Sequence, residues 1–249
     1  MGESALWVYG VVAGGGEPPA AAGVDGLPVR VHEHAGVGAL VSDVPAHRFT
    51  KAALSARLEE LAQLEALARA HEAVLDGALG TGAVVPFRLC TIYSSPQRLD
   101  AMLDHEAPML RDALDRLHGL QEWGVKAFAR PHAAAASTAA ASGTEYLLRK
   151  RERRDSAEAE RDALEDAVAE VHSRLTECAV ASALSRPQDR RLSGRETEMI
   201  LNGAYLVPAD ATEAFRLLVA AESGAIELEL TGPWPPYHFV EEPSHHGDA

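Results

Sequence analysis

The stretch "PHAAAASTAAASG", residues 131–143, holds almost nothing large enough to bury. Small and polar side chains cannot repay the entropy of ordering their own backbone. The segment therefore reads as a linker, and it forces each flank to build its own core. The flanks, residues 1–130 and 144–249, are each of ordinary domain size. Both alternate short strand-like runs with leucine-rich helical runs, so the expected class is α+β in two domains, with boundaries 1–130, 131–143 and 144–249.

In the first flank, "ALWVYGVVA" (5–13) is a buried strand stopped by "GGGEPP". "LPVRVHEH" and "VGALVSDV" form a hairpin about Ala35 and Gly36. Leu54, Leu58, Leu61, Leu64, Leu67, His71, Val74 and Leu75 recur at helical spacing over 51–79. "AVVPFRLCTIY" (83–93) returns to strand, with a break or edge at Pro86. A second helix runs from Pro96 to Leu117 with Pro108 inside it, and "EWGVKAFAR" (122–130) closes this half as a strand. The second flank opens on a long helix over 144–184, polar through "RKRERRDSAEAERD" and then apolar at Leu164, Val168, Val171, Leu175, Cys178 and Ser182. A strand at 198–208, a helix at 211–222 and the strand "AIELEL" follow, the material of helices over one sheet face.

The charge of −14 excludes nucleic acid as a main partner, because phosphate binding needs a basic surface. No apolar run approaches the roughly 20 residues that cross a bilayer, and the start has no basic-then-apolar leader. A cytoplasmic protein that does not engage a lipid membrane is expected. Cys90 and Cys178 are too few and too far apart for a disulfide framework or a metal knuckle, and read as reduced, buried thiols.

Motifs for chemistry are missing. "GVGALV" (36–41) lacks the third glycine of a dinucleotide fingerprint, and "GGG" at 14–16 lacks the Lys-Ser/Thr of a P-loop. "HEAVL" (71–75) has Leu75 where a zinc protease helix needs its second histidine. His32 and His34 share a strand face, but two imidazoles do not make a closed zinc site. "DHE" at 104–106 points adjacent carboxylates in different directions on a helix. No nucleophile elbow occurs. No catalytic residue, cofactor or metal is expected.

Two stretches stand out instead. "VVPFRLCTIYSS" (84–95) sets Arg88 among Pro86, Phe87 and Leu89, where it either snorkels or pairs with a carboxylate, or meets a partner. "LTGPWPPYHFV" (230–240) packs Trp234, Tyr237 and Phe239 among Pro233, Pro235 and Pro236, in a chain with only 5% aromatic residues. Prolines hold the backbone extended and lower the entropy lost when the rings dock. The rings either strap back over their own domain or offer an aromatic surface to another chain.

These stretches resemble the gas vesicle protein F/L family. Its members carry a Gly-Pro-Trp-Pro-Pro-Tyr-x-Phe run like that at 232–239, and a Pro-x-Arg-Phe-Gly-Thr segment that 86–91 matches with Leu89 for the Phe and Cys90 for the Gly. "WVYGVV" (7–12), "EWGVKAFA" (122–129) and "LNGAYLV" (201–207) fall in the family's order. The resemblance implies a non-enzymatic accessory protein of gas vesicle assembly with two α+β domains, the second ferredoxin-like. It implies binding to the hydrophobic shell protein and to other accessory gas vesicle proteins. Trp234, Pro235, Pro236, Tyr237, Phe239 and Arg88 are then the candidate partner-binding residues. The competing expectation is an acidic ligand-binding or regulatory α+β protein with a pocket between its domains. A hydrolase is a third.

Overall fold

The computed structural model describes residues 3–130, 143–188, 197–221 and 224–241. They fall into two compact units. The first runs to Gln121 and takes in the chain from Trp234 onward; the second spans Glu122–Pro233.

The first unit is built on strand β1 (Ser4–Ala13), in which Trp7, Val8, Tyr9 and Val11 are wholly buried. The expected hairpin is present as β2 (Arg30–His34) and β3 (Val37–Pro45). Its two turn residues, Ala35 and Gly36, have φ of 49° and 78°, the double positive φ that matches the strand twist in tight hairpins. β3 pairs antiparallel along the whole of β1, with a bulge between Val8 and Gly10.

Helices α1 (Lys51–Glu59) and α2 (Leu61–Leu79) occupy the expected single helix, which breaks at Glu60, extended at φ −92° and ψ 110°. Leu67, His71, Val74 and Leu75 of α2 close one core over Trp7, Tyr9, Leu40 and Val44. Helix α3 (Pro96–Leu117), capped by the Ser95 hydroxyl, packs on β1 and β3 and buries Leu99, Leu103, Leu110 and Leu114. Pro108 lies within it.

The expected strand over 83–93 divides into β4 (Val84–Pro86) and β5 (Ile92–Tyr93), both antiparallel to β1. Close approach of β4 explains Gly10, since a Cβ there would stand 2.6 Å from the Val85 carbonyl oxygen. The first sheet thus runs β2-β3-β1-β4, with β5 also on β1.

The second unit contains β6 (Leu120–Ala129, its first two residues falling to the other unit), α4 (Gly143–Glu177), β7 (Ala181–Leu184), β8 (Met199–Pro208), α5 (Thr212–Ala221) and β9 (Ile226–Trp234). The strand order β7-β8-β6-β9, with helices after the first and third strands, is the βαββαβ ferredoxin-like arrangement. Trp123, Val125, Val171, Leu175, Tyr205, Val207 and Phe215 form its core.

The expected boundaries differ from those of the fold. The boundary at residue 130 moves to 121, because β6 lies between β8 and β9 and completes the second sheet rather than the first. Of the expected linker, 131–143, residues 131–142 lie outside the described residues, and α4 begins at Gly143. The long helix stops at Glu177; residues 181–184, including Ser182, form the edge strand β7 instead. Leu164, Val168 and Cys178 do pack on the second core as expected.

Candidate functional site: a proline–aromatic strap on the first unit

β9 ends at Trp234, and Pro233 lies within it. That proline is tolerated because β9 is the outer strand of its sheet, where one row of backbone groups needs no partner. Beyond Trp234 the chain leaves the sheet. There the chain turns twice: the Tyr237 amide donates to the Pro235 carbonyl at 2.7 Å, and the Phe239 amide to the Pro236 carbonyl at 3.1 Å.

The turns fix the rings differently. Pro235 and Pro236 are buried, Tyr237 and Phe239 are half-buried, and Trp234 keeps 41% of its surface exposed. Tyr237 packs on the first core and its hydroxyl donates to Glu72 Oε1 at 3.0 Å. Arg116 Nη2 donates to the Phe239 carbonyl at 3.3 Å. Tyr237 and Phe239 therefore strap residues 235–239 to the unit, and Trp234 is the most exposed of the three rings.

Arg88 departs from its expected setting in an apolar strand. It is exposed, in the turn joining β4 to β5. The turn hangs on β1 at both ends: the Phe87 amide donates to the Tyr9 carbonyl and the Val8 amide to the Thr91 carbonyl, each at 2.9 Å. Thr91 closes it, its amide and hydroxyl both donating to the Arg88 carbonyl, at 3.2 and 2.8 Å. Cys90 holds a φ of 70°, a left-handed conformation that suits glycine, so the glycine-like backbone is kept although the residue is Cys. Leu89, Cys90 and Tyr237 all lean on the same core.

Two supporting residues went unrecognised in the sequence. Burial pushes the Glu72 carboxyl above its ordinary range, against the Tyr237 hydrogen bond, which lowers it. His71 is 1% exposed; the Trp7 indole donates to its Nδ1 at 3.1 Å, so its proton sits on Nε2 and is given to the Phe87 carbonyl at 3.0 Å. Burial lowers its pKa to about 4, with the Phe87 bond opposing. Only the helical phase of 71–72 within "HEAVL" hinted at either role.

Reactive chemistry is not what these groups are set for. Burial raises the Cys90 thiol to about 11, which keeps it protonated and a poor nucleophile. Cys90 and Cys178 are both half-buried rather than fully buried. His32 Nε2 meets Asp100 Oδ1 at 2.6 Å and His34 Nε2 meets Asp104 Oδ1 at 2.8 Å. These tie β2 to α3. Among the described residues no group of three or more His, Cys, Asp or Glu is arranged to hold a metal ion, and no helix is long and apolar enough to cross a membrane.

The sequence pattern described as "Gas vesicle synthesis protein GvpL/GvpF" matches residues 5–241, from β1 through the strap. The chain belongs to the GvpL/GvpF family. Gas vesicle protein L of a Streptomyces species is 38% identical over 232 residues, covering 90% of this chain and 87% of that protein. Gas vesicle protein F2 of Halobacterium salinarum is 25% identical over 251 residues, covering 97% and 94%. The crystal structure of GvpF from Anabaena sp. superposes with a TM-score of 0.70 at 20% identity, over 99% of both chains. That of GvpF from Microcystis aeruginosa gives 0.62 at 18% identity, over 95% of this chain and 99% of the other. These likenesses establish the α+β fold, and membership of the GvpL/GvpF family supports a role in gas vesicle assembly.

Proposed function

We propose that this protein is a non-enzymatic, cytoplasmic assembly factor that holds the hydrophobic gas vesicle shell protein, and other accessory gas vesicle proteins, at the growing vesicle. The observation that carries the contact site is Trp234, exposed at 41% beside two buried prolines. A partly exposed indole on a proline-stiffened backbone is a favoured anchor for apolar partners, since little further ordering is needed on docking. A shell subunit rich in apolar surface is prone to self-associate before assembly, and a host chain with a charge of −14 keeps such a complex in solution. Pro235, Pro236, Tyr237 and Phe239 shape and fix the surface, and Arg88 extends it.

Capture of purified shell protein by the immobilised full chain tests this. Trp234→Ala weakens capture by tenfold or more, about 1.4 kcal/mol, while Arg88→Ala has a smaller effect. Undiminished capture by a folded Trp234→Ala variant removes the site. Failure of the unaltered protein to capture the shell protein removes the partner.

A further inference from the structure

The edge of a sheet is a row of unpaired amides and carbonyls, and folded proteins guard it with charge, proline or brevity. Most outer strands here are guarded in that way. β2 carries Arg30 and Glu33, and its His32 and His34 are tied to Asp100 and Asp104 of α3. β9 carries Glu227, Glu229 and Pro233. β4 and β5 are only three and two residues long, and β4 holds Pro86. β7, the other outer strand of the second sheet, reads Ala-Ser-Ala-Leu and has neither charge nor proline.

The register shows which way the backbone of β7 faces. Ser182 lies opposite Tyr205, and Leu184 opposite Gly203, in the antiparallel pairing with β8. The Ser185 amide donates to the Asn202 carbonyl at 2.8 Å. Antiparallel hydrogen bonding alternates along a strand, so Ala181 and Ala183 pair with β8, while the amides and carbonyls of Ser182 and Leu184 face away from it. Among the described residues no strand lies on that side. Both residues are exposed, Leu184 at 59%. Leu184 also lines a groove of about 610 Å³ with Leu164 and Val168 of α4 and with Met199, Ile200 and Leu201. Gly203, opposite it, supplies no side chain to cover it.

We propose that β7 receives a strand of another protein, added antiparallel to its free edge, whose large apolar side chains at alternate positions enter this groove. Directly opposed residues of paired strands share a face, so the residues bonded to Ser182 and Leu184 are the ones turned toward the groove. A second copy of β7 fits poorly, because it brings one large apolar side chain in four residues. Two copies at −14 each also repel. The occupant is therefore a different chain, uncharged where it docks. The edge lies wholly in the second unit, and its use depends neither on Trp234 nor on the shell protein.

Two fluorescent hexapeptides of alternating Val and Thr, titrated with the full chain by anisotropy, test this. With its Thr amides N-methylated, the first peptide bonds to β7 only through its Val residues and turns Val toward the groove. With its Val amides N-methylated, the second turns Thr there. Methylation blocks the other edge of each peptide, so neither stacks on itself. The first is expected to bind tenfold or more tightly than the second. Ser182→Pro removes an outward amide and no bond to β8, and weakens binding of the first peptide tenfold or more; circular dichroism checks that the variant folds. Amide exchange by NMR reads the same contact without a substitution. Ser182 and Leu184 exchange fast in the free protein and slowly with the first peptide, whereas Ala183 is slow in both. Absence of binding at about 1 mM peptide overturns the proposal. So does equal binding of the two peptides, undiminished binding by a folded Ser182→Pro variant, or exchange at Ser182 and Leu184 that the peptide does not slow.

Discussion

His71 shows how a single residue couples stability to pH. Held neutral by Trp7 and Phe87, it has a folded pKa of about 4 against an ordinary 6.5. Above pH 6.5 both the folded and unfolded chains carry it neutral, and its contribution is complete. As pH falls from 6.5 toward 4 the unfolded chain takes up a proton that the folded one refuses, so stability drops by about 1.4 kcal/mol per pH unit. Below about pH 4 this loss ends. His71→Gln can accept from Trp7 and donate to Phe87 without titrating. Denaturant unfolding at pH 6.5 and pH 5 is expected to show the unaltered protein losing about 2 kcal/mol more than the variant over that interval. Parallel losses in the two proteins would show that His71 is not the group responsible.

At the scale of the element, the strap is where sequence reading was half right. The concentration of rings and prolines around 232–240 was visible, and so was the chance that it folds back; which ring faces out was not. That depends on Glu72, a half-buried acceptor on α2 that Tyr237 reaches from across the sequence. Sequence spacing carries no trace of such a pair. The exposure of Arg88 agrees with snorkelling, but its place in a turn was hidden for a related reason: the left-handed Cys90 that helps form the turn is a residue type that seldom adopts that conformation. The break at Glu60 has no Gly or Pro to announce it. Because burial raises the Glu72 carboxyl in the fold, the folded chain favours its protonated form more than the unfolded chain does. It therefore costs stability at neutral pH, and that cost fades as pH falls toward the unfolded value of 4.5. Glu72→Gln keeps the acceptor and removes the cost, a gain at pH 7 kept below about 1 kcal/mol by solvent screening and absent near pH 4. Tyr237→Phe loses about 1 kcal/mol, and loses less in the Glu72→Gln background, where the acceptor is uncharged. Urea titrations of the four proteins read the cycle directly; additive effects would mean that the Glu72 charge does not strengthen the bond, and an unchanged stability of Tyr237→Phe would mean that the bond does not hold the strap.

For the molecule as a whole, the fold class followed from the alternation of runs, but the place where the chain divides did not. Alanine-rich low complexity at 131–143 looked like a border because it cannot build a core. A border is set by which strands pair, and β6, before that segment, takes the central place between β8 and β9. The ferredoxin-like sheet is a split βαβ motif, and without its first strand β8 and β9 have no common neighbour. Trp123 and Val125 would leave the second core with it. The division inferred from the sequence and the division in the fold therefore predict opposite behaviour for two fragments. Residues 122–233 carry every strand and both helices of the second unit, and are expected to unfold in one cooperative thermal transition. Residues 144–249 lack β6 and carry a strap whose seat is on the first unit. That fragment is expected to show no cooperative transition and to expose apolar surface that binds a hydrophobic dye. Cooperative unfolding of 144–249 together with failure of 122–233 would restore the border to the alanine-rich segment. The reverse result would make β6 the strand on which the second unit depends.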